Sequence, residues 1–192
     1  MVAGGPADLY AVTKGWNQRY RGDPPVEPAR KPVFMDMDHG AADNDGDNAW
    51  NNHPTTPWKL LTRAYHQCLF DHDYWKPGSN RDTWDLTRRN VGLTAALAAE
   101  VDLAGTSPHK DLASTSYCLA NPGVEYVVFA PGQEPFTLKG LVPGRRYAYR
   151  WYDGSRARAD SHGSLHAAGA VQRFKAPAKD AALYLALKDE SE

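Results

Sequence analysis

Hydrophobic residues follow one pattern in the first part of this chain and another in the second, and the change falls within residues 105–112. A near-continuous apolar run over residues 31–39 is typical of a parallel strand that is buried on both faces. Residues 58–65 have helical spacing, and a second short apolar run follows at residues 66–70. Strand, helix and strand in this order predict one βαβ unit, in which both strands end at the same edge of a sheet.

Ionisable and aromatic residues stand at the C-terminal ends of both predicted strands. They are Asp36, Asp38 and His39 for the first strand, and Asp71, Asp73, Tyr74 and Trp75 for the second. Reactive side chains of α/β barrels lie at this end of the strands, so one interpretation is a shared functional site. The alternative is a loop-capping cluster, in which the two carboxylates of the first strand accept hydrogen bonds from neighbouring backbone N–H groups.

The second part of the chain has apolar residues with a period of two. A helix with a broad apolar stripe is predicted before it, over residues 82–103. Glycine- and proline-containing turns then separate six predicted strands, at residues 116–120, 125–130, 136–138, 146–152, 171–174 and 182–187. Strands at this spacing without intervening helices favour an antiparallel β-sandwich. We therefore predict an α+β chain with two parts, residues 1–108 and residues 109–192.

Composition narrows the class of protein. The chain has 192 residues, which is too few for a complete (β/α)8 barrel of about 250 residues. Its formal net charge of -1 provides no broad attraction for nucleic acid or for an anionic membrane. The first residues lack the pattern of a signal peptide, and no apolar window is long enough to span a bilayer. Cys68 and Cys118 are predicted to be free, buried thiols.

Aromatic residues are frequent, at 11% of the chain, and their rings can either stack on sugars or fill a core. A stacking platform in the second part would make it a non-catalytic carbohydrate- or protein-binding module. Burial tendencies favour the core instead. The side chains in question are Tyr117, Tyr126, Tyr147, Tyr149, Trp151 and Tyr152.

Two polar segments give weaker indications of a structure or a function. Asp43, Asp45 and Asp47 alternate as in a calcium loop, but Pro54 stands where that loop needs a bidentate carboxylate, so we predict a solvated acidic loop. A metal-dependent hydrolase that uses Asp36, Asp38, His39 and Asp43 is a further alternative. The Gly-, Ser- and Ala-containing stretch at residues 156–166 is predicted to be a mobile hairpin tip without an assigned role.

Residues from 21 to about 190 resemble the C-terminal part of an apiosidase-like family of glycoside hydrolases. In that family a (β/α)8 barrel precedes a small β-sandwich, which is sometimes labelled the collagen-binding domain of a collagenase. The resemblance rests on residues 31–39 with their Asp-x-Asp-His ending, on residues 58–73, and on the segments 102–108, 111–115, 117–120, 125–128 and 150–153. The turn at residues 153–156 departs from the family's pattern.

This resemblance implies that the two parallel strands are the seventh and eighth of a barrel whose other strands are absent. The seventh strand typically supplies the nucleophile, so Asp36, Asp38 and His39 become candidate catalytic residues. Asp71, Asp73, Tyr74 and Trp75 become candidate substrate-binding residues for a plant or bacterial polysaccharide. The acid/base residue of the fourth strand is missing, so the chain alone is expected to be inactive.

The resemblance also implies which molecules the protein meets. It implies no cofactor and no metal, a carbohydrate as substrate, and either the missing barrel portion or a second copy of the chain as partner. Neither nucleic acid nor a membrane is an expected partner. The full-length protein would be secreted or periplasmic.

Overall fold

The computed structural model describes residues 2–3, 33–37, 54–69 and 81–188. Its first part is a parallel sheet with two helices. In chain order the elements are β1 (Val2–Ala3), β2 (Val33–Met37), α1 (Thr56–Leu61), β3 (Tyr65–Leu69) and α2 (Arg81–Ala98). The sheet has the order β1-β2-β3, and both neighbouring pairs are parallel. The predicted strand–helix–strand unit is therefore confirmed.

The ends of the two helices have identifiable causes. Pro57 lies in the first turn of α1, where its missing N–H costs no intrahelical hydrogen bond. Helix α2 ends at Ala98, before the predicted end at residue 103. The N–H of Asp102 donates to the carboxylate of Glu125 at 3.0 Å, and not to a helical carbonyl. An acceptor on the sheet therefore helps to decide where the chain leaves the helix.

The second part is mostly antiparallel sheet. Its strands are β4 (Ser107–Pro108), β5 (Cys118–Asn121), β6 (Glu125–Ala130), β7 (Phe136–Lys139), β8 (Arg146–Asp153), β9 (Arg158–His166), β10 (Val171–Phe174) and β11 (Ala181–Leu187). Six of these strands form one sheet in the order β4-β5-β6-β11-β8-β9, and β7 and β10 form a separate pair. All six predicted strands are confirmed within one or two residues at their ends, whereas β4 and β9 were not predicted.

The prediction for residues 156–166 was wrong over most of its length. Residues 158–166 form strand β9 at the edge of the six-stranded sheet, in antiparallel pairing with β8 from Arg146–His166 to Asp153–Arg158. Seven consecutive residues of β9 are exposed, so neither of its faces has the apolar alternation by which a strand is recognised in a sequence. Backbone pairing with β8 holds this strand in place.

Both faces of the six-stranded sheet are buried over much of their area. On one face, Phe136 of β7 and Phe174 of β10 pack on Trp151 of β8, with ring centroids 6.1 and 6.5 Å apart. On the other face, Trp58 of α1 and Leu97 of α2 pack on the sheet. Strand β6 contributes alternate residues to the two faces, and all six of its residues are buried. Neither described helix combines the length and apolar composition needed to cross a membrane.

The aromatic residues of the second part belong mainly to this core. Five of the six side chains considered for a stacking platform are buried, and Tyr149 is half-buried. The interpretation as core is therefore confirmed for these five. The buried hydroxyl of Tyr147 is hydrogen-bonded: it donates to the carbonyl of Gly123 at 2.8 Å and accepts from the N–H of Val142. Cys118 is a free, buried thiol as predicted, and the side chain of Cys68 lies outside the described residues.

One buried amide joins the helices to the antiparallel sheet. Asn90 of α2 accepts a hydrogen bond from the indole Nε1 of Trp58 at 2.7 Å and donates to the carbonyl of Gly154 at 2.9 Å. Asn90 and Trp58 are fully buried, and the Trp58 ring lies 5.0 Å from the ring of Tyr152. The amide therefore holds α1, α2 and the turn after β8 together.

We expect Asn90→Ala to lower the free energy of unfolding by about 3 kcal/mol, because it leaves the Trp58 indole N–H and the Gly154 carbonyl buried without this partner. Urea unfolding followed by tryptophan fluorescence measures this change. Arg89→Ala is the matched control, since Arg89 is the exposed neighbour on the same helix and its loss should change stability by less than about 0.5 kcal/mol. Equal stability of the two variants would contradict the role of the amide.

Two glycines are expected to respond in opposite ways to alanine. A Cβ at Gly154 would clash with the backbone oxygen of Asp180, so Gly154→Ala should destabilise the protein by about 1–3 kcal/mol. A Cβ at Gly92 of α2 meets nothing within 4 Å among the described atoms, so Gly92→Ala should stabilise it by about 0.5–1 kcal/mol. Thermal unfolding of both variants gives the sign directly, and a stabilising Gly154→Ala would show that the turn is loosely packed.

The domain boundary at residue 108 stays a prediction, and the shared core makes it testable. A fragment of residues 109–192 would expose the sheet face that Trp58, Leu61 and Leu97 cover in the whole chain. We expect this fragment to bind a hydrophobic dye and to unfold at a lower temperature than the whole chain. Unchanged thermal stability of the fragment would show that the antiparallel part is an autonomous domain.

Candidate functional site

The predicted site at the shared edge of the parallel sheet is described only in part. Strands β2 and β3 pair in register from Val33 opposite Tyr65 to Met37 opposite Leu69. Both strands therefore end at the same edge, as the sequence predicted. Asp36 lies on β2 opposite Cys68, one position before the end of the strand. Asp36 therefore lies next to the C-terminal edge of the sheet, where the catalytic residues of α/β barrels are found.

The other predicted site residues lie outside the described residues. These are Asp38 and His39 after β2, and Asp71, Asp73, Tyr74 and Trp75 after β3. The acidic loop with Asp43, Asp45 and Asp47 also lies outside them. Within the described ranges, no group of three or more His, Cys, Asp or Glu side chains is arranged to hold a metal ion.

A cleft of about 400 Å³ lies beside the parallel sheet, between β3 and α2. Its walls include Tyr65 and His66 of β3, Thr94 and Ala98 of α2, and Leu119 of β5. The described residues that line it include no carboxylate, so they supply neither a nucleophile nor a general acid for glycoside chemistry. The cleft is a mainly apolar space between α2 and the N-terminal end of β3.

An ion pair closes the helix-facing side of the six-stranded sheet at the end of α2. Arg150 of β8 makes two hydrogen bonds to the carboxylate of Glu100, at 2.8 and 3.1 Å. The guanidinium also donates to the hydroxyl of Tyr152 at 2.9 Å and lies over the ring of Tyr184, 5.7 Å from its centroid. The hydrogen bond from Arg150 holds the pKa of Glu100 below its usual value. This geometry orients Arg150 and leaves Glu100 ionised.

Glu125 continues this polar network into the protein. Tyr184 donates to Glu125 at 2.7 Å, and the N–H of Asp102 donates to the other carboxylate oxygen at 3.0 Å. Glu125 is only 8% exposed, so its carboxylate is engaged by protein groups and not by solvent. Burial, followed by the hydrogen bond to Glu125, raises the pKa of Tyr184. The network fastens the end of α2 to the sheet.

The turn after β8 is held by a buried carboxylate. Asp153 accepts hydrogen bonds from Ser155 Oγ at 2.6 Å and from the N–H of Arg156 at 3.1 Å, and it pairs with the Arg156 guanidinium. Burial acts to raise the pKa of Asp153, but the hydrogen bonds from Ser155 and Arg156 outweigh it and hold the pKa below its usual value. This contribution to stability is present above the unfolded-state pKa and is lost as the pH falls through the lower, folded-state pKa.

Burial shifts the pKa of several further side chains of the described region. Burial raises the pKa of the Cys118 thiol to about 12, so it is not a nucleophile near neutral pH. Burial likewise raises the pKa of Tyr126 to about 12. Lys59 and Arg63 flank the ring of Tyr117, 5.3 and 5.2 Å from its centroid, and burial lowers the pKa of Lys59. The contacts of Lys59 and Arg63 with Tyr117 fasten α1 and the residues after it to the sheet.

Sequence reasoning missed the network of Glu100, Arg150, Tyr184 and Glu125. The positions of Arg150 and Tyr184 on strands were predicted, but their pairing was not. They are directly opposite on β8 and β11, which are far apart in the chain. The alternation of β8 could have indicated that Arg150 lies on the face opposite the aromatic core. Arg146, Ala148 and Arg150 stand on one face of the strand, and Tyr147, Tyr149 and Trp151 stand on the other.

No protein-family model matches this chain, and no curated protein matches it. Among solved structures, it is similar to one described as a glycoside hydrolase, with a TM-score of 0.55, 11% identity, and coverage of 84% of this chain and 43% of that chain. It is also similar to a glycoside hydrolase family 5 protein from Bacteroides vulgatus ATCC 8482, with a TM-score of 0.55, 12% identity, and coverage of 83% and 42%.

At this level of identity the likeness concerns the fold alone. The chain spans less than half of the length of either structure. Coverage of 84% of this chain is too long to be confined to the antiparallel part, so the similarity includes residues of the parallel part as well. The fold of this chain is thus similar to a portion of the fold of two glycoside hydrolases.

Proposed function

We propose that this chain is the C-terminal part of a glycoside hydrolase of the apiosidase-like kind. Strands β2 and β3 are then the last two strands of a (β/α)8 barrel, and the antiparallel part is the β-sandwich that follows. The observation that carries the proposal is the pair of coverages, because a match over 84% of this chain corresponds to only 43% of a glycoside hydrolase. The parallel register of β2 and β3, with α1 between them, supports the barrel assignment.

The chemistry follows from two carboxylates on one strand. Asp36 and Asp38 are two positions apart and share a face if β2 continues regularly. One of them acts as nucleophile or base at the anomeric carbon, through an oxocarbenium-like transition state. His39 orients this carboxylate or binds substrate. Asp71, Asp73, Tyr74 and Trp75 line the sugar subsite, since β3 ends beside β2.

A second carboxylic acid is needed for ordinary glycosides, because the leaving oxygen must be protonated. In the proposed barrel this acid belongs to a strand that is not in this sequence. The chain is therefore inactive on unactivated substrates until the missing barrel portion, or a second copy of the chain, completes the site. The competing hypothesis of an aromatic sugar-binding platform is not favoured, because five of its six side chains are buried.

An activated substrate tests the site without its acid. Dinitrophenolate is a stable anion and departs without protonation, so a nucleophile or base is sufficient for its release. We expect the chain to release dinitrophenolate from at least one member of a panel of 2,4-dinitrophenyl pentosides and hexosides, and none of the matching methyl glycosides. Either Asp36→Asn or Asp38→Asn should lower the rate about 100-fold or more.

Asp43→Asn is the control, because it removes a nearby carboxylate that the mechanism does not use. The absence of release from every activated glycoside, or equal rates for all three variants, would contradict the assignment of the functional carboxylate to β2. Chelation should leave the rate unchanged, whereas a loss of release with chelator would favour the metal-dependent alternative.

A further inference from the structure

Neither of the two described helices extends over the whole helix-facing side of the six-stranded sheet. Helix α2 ends at Ala98, and Glu100 reaches the sheet at Arg150. Beyond this point, residues of β11, β8 and β9, together with Lys188 directly after β11, form three rows across the sheet. The rows are Tyr184–Arg150–His162, Ala186–Ala148–Ser164 and Lys188–Arg146–His166.

The three rows form a groove with a floor of small residues. The middle row contains two alanines and a serine and ends at Glu125 of β6, which stands opposite Ala186, whereas the rows on either side contain long or aromatic side chains. A cavity of about 290 Å³ lies here and is lined in part by Ala148, Arg150, His162 and Lys188. The outer rows are about 13 Å apart along β8, from four residues at about 3.3 Å each. We call this feature the basic groove.

Within the described residues, part of the positive charge of the basic groove is not paired with a carboxylate. Arg150 is paired with Glu100, and the nearby Glu125 is held by Tyr184 and the N–H of Asp102. Arg146 and Lys188 make no ion pair within the described part of the chain. His162 and His166 are exposed at the outer edge and add donors. The chain as a whole has a net charge of only -1, so this cluster is a local concentration of charge.

We propose that the basic groove binds an acidic sugar chain, a uronate-containing oligosaccharide. The sugar carboxylates pair with Arg146 and Lys188, and the sugar hydroxyls hydrogen-bond with His162, Ser164 and His166 above the small floor. Charge complementarity selects an anion, and the small side chains of the floor leave room for a sugar ring. The choice of a sugar over other anions rests on the proposed function. The groove lies on the antiparallel sheet and is separate from the edge formed by β2 and β3.

NMR titration of the whole chain with an α-1,4-linked hexagalacturonate tests this proposal. We expect shifts that cluster on β8, β9 and the end of β11. The variant Arg146→Gln/Lys188→Gln should bind about tenfold more weakly, as expected for the loss of two exposed ion pairs. The variant Arg146→Lys/Lys188→Arg should retain binding, because both charges remain.

The matched control is Arg173→Gln/Lys139→Gln, which removes one arginine and one lysine from the exposed side of the separate β7–β10 pair. It should bind as the unaltered chain does, and near-ultraviolet circular dichroism should show that all variants are folded. Absence of binding, equal binding by the groove variant and this control, or equal binding of the methyl-esterified hexamer would overturn the proposal. Equal binding of hexaglutamate would overturn the sugar class.

Binding at the basic groove and catalysis at the proposed site of β2 can be tested separately. Asp36→Asn and Asp38→Asn should leave hexagalacturonate binding unchanged, and the groove variant should leave dinitrophenolate release unchanged. Binding without any release would contradict the proposed function and support the groove, while release without binding would do the reverse.

Discussion

The buried amide of Asn90 is the interaction on which the arrangement of helices and sheets depends. It accepts from Trp58 and donates to the carbonyls of Gly154 and Leu86, so its donors and its acceptor are engaged away from water. An unpaired amide in this environment would be costly, and partners at other distances would not satisfy it. One side chain therefore specifies how α1, α2 and the turn after β8 fit together, while the surrounding apolar contacts provide most of the burial.

This junction explains why the two parts of the chain share one core. Strand β6 is buried on both faces, with β7 and β10 on one side and the helices on the other. Such a sheet resembles the central layer of a three-layer arrangement more than one wall of an isolated sandwich. The similarity to portions of glycoside hydrolases that extend over both parts is consistent with a unit that is stable because its parts pack together.

The end of α2 divides the helix-facing side of the sheet into a covered part and an accessible part. In the covered part, apolar side chains of α1 and α2 pack on Tyr152, Phe129 and Val127. At the boundary, the pairing of Glu100 with Arg150 replaces apolar packing by charge. Beyond it, small and basic residues alternate on three neighbouring strands. Because α2 ends at Ala98, it does not extend over this part of the described sheet.

The sequence by itself determined the elements that are recognised by burial. The apolar runs of β2, β3, β6 and β11, the stripe of α2 and the alternation of β8 indicate which side chains become buried, and this information is local. Strand β9 was missed because it is exposed on both faces and is held by backbone hydrogen bonds that any sequence can make. The end of α2 depends on Glu125, the partners of Asn90 lie 32 and 64 residues away, and Arg146 meets Lys188 only through strand pairing. Those features were decided by the tertiary structure, because long-range partners leave no periodic trace in the chain.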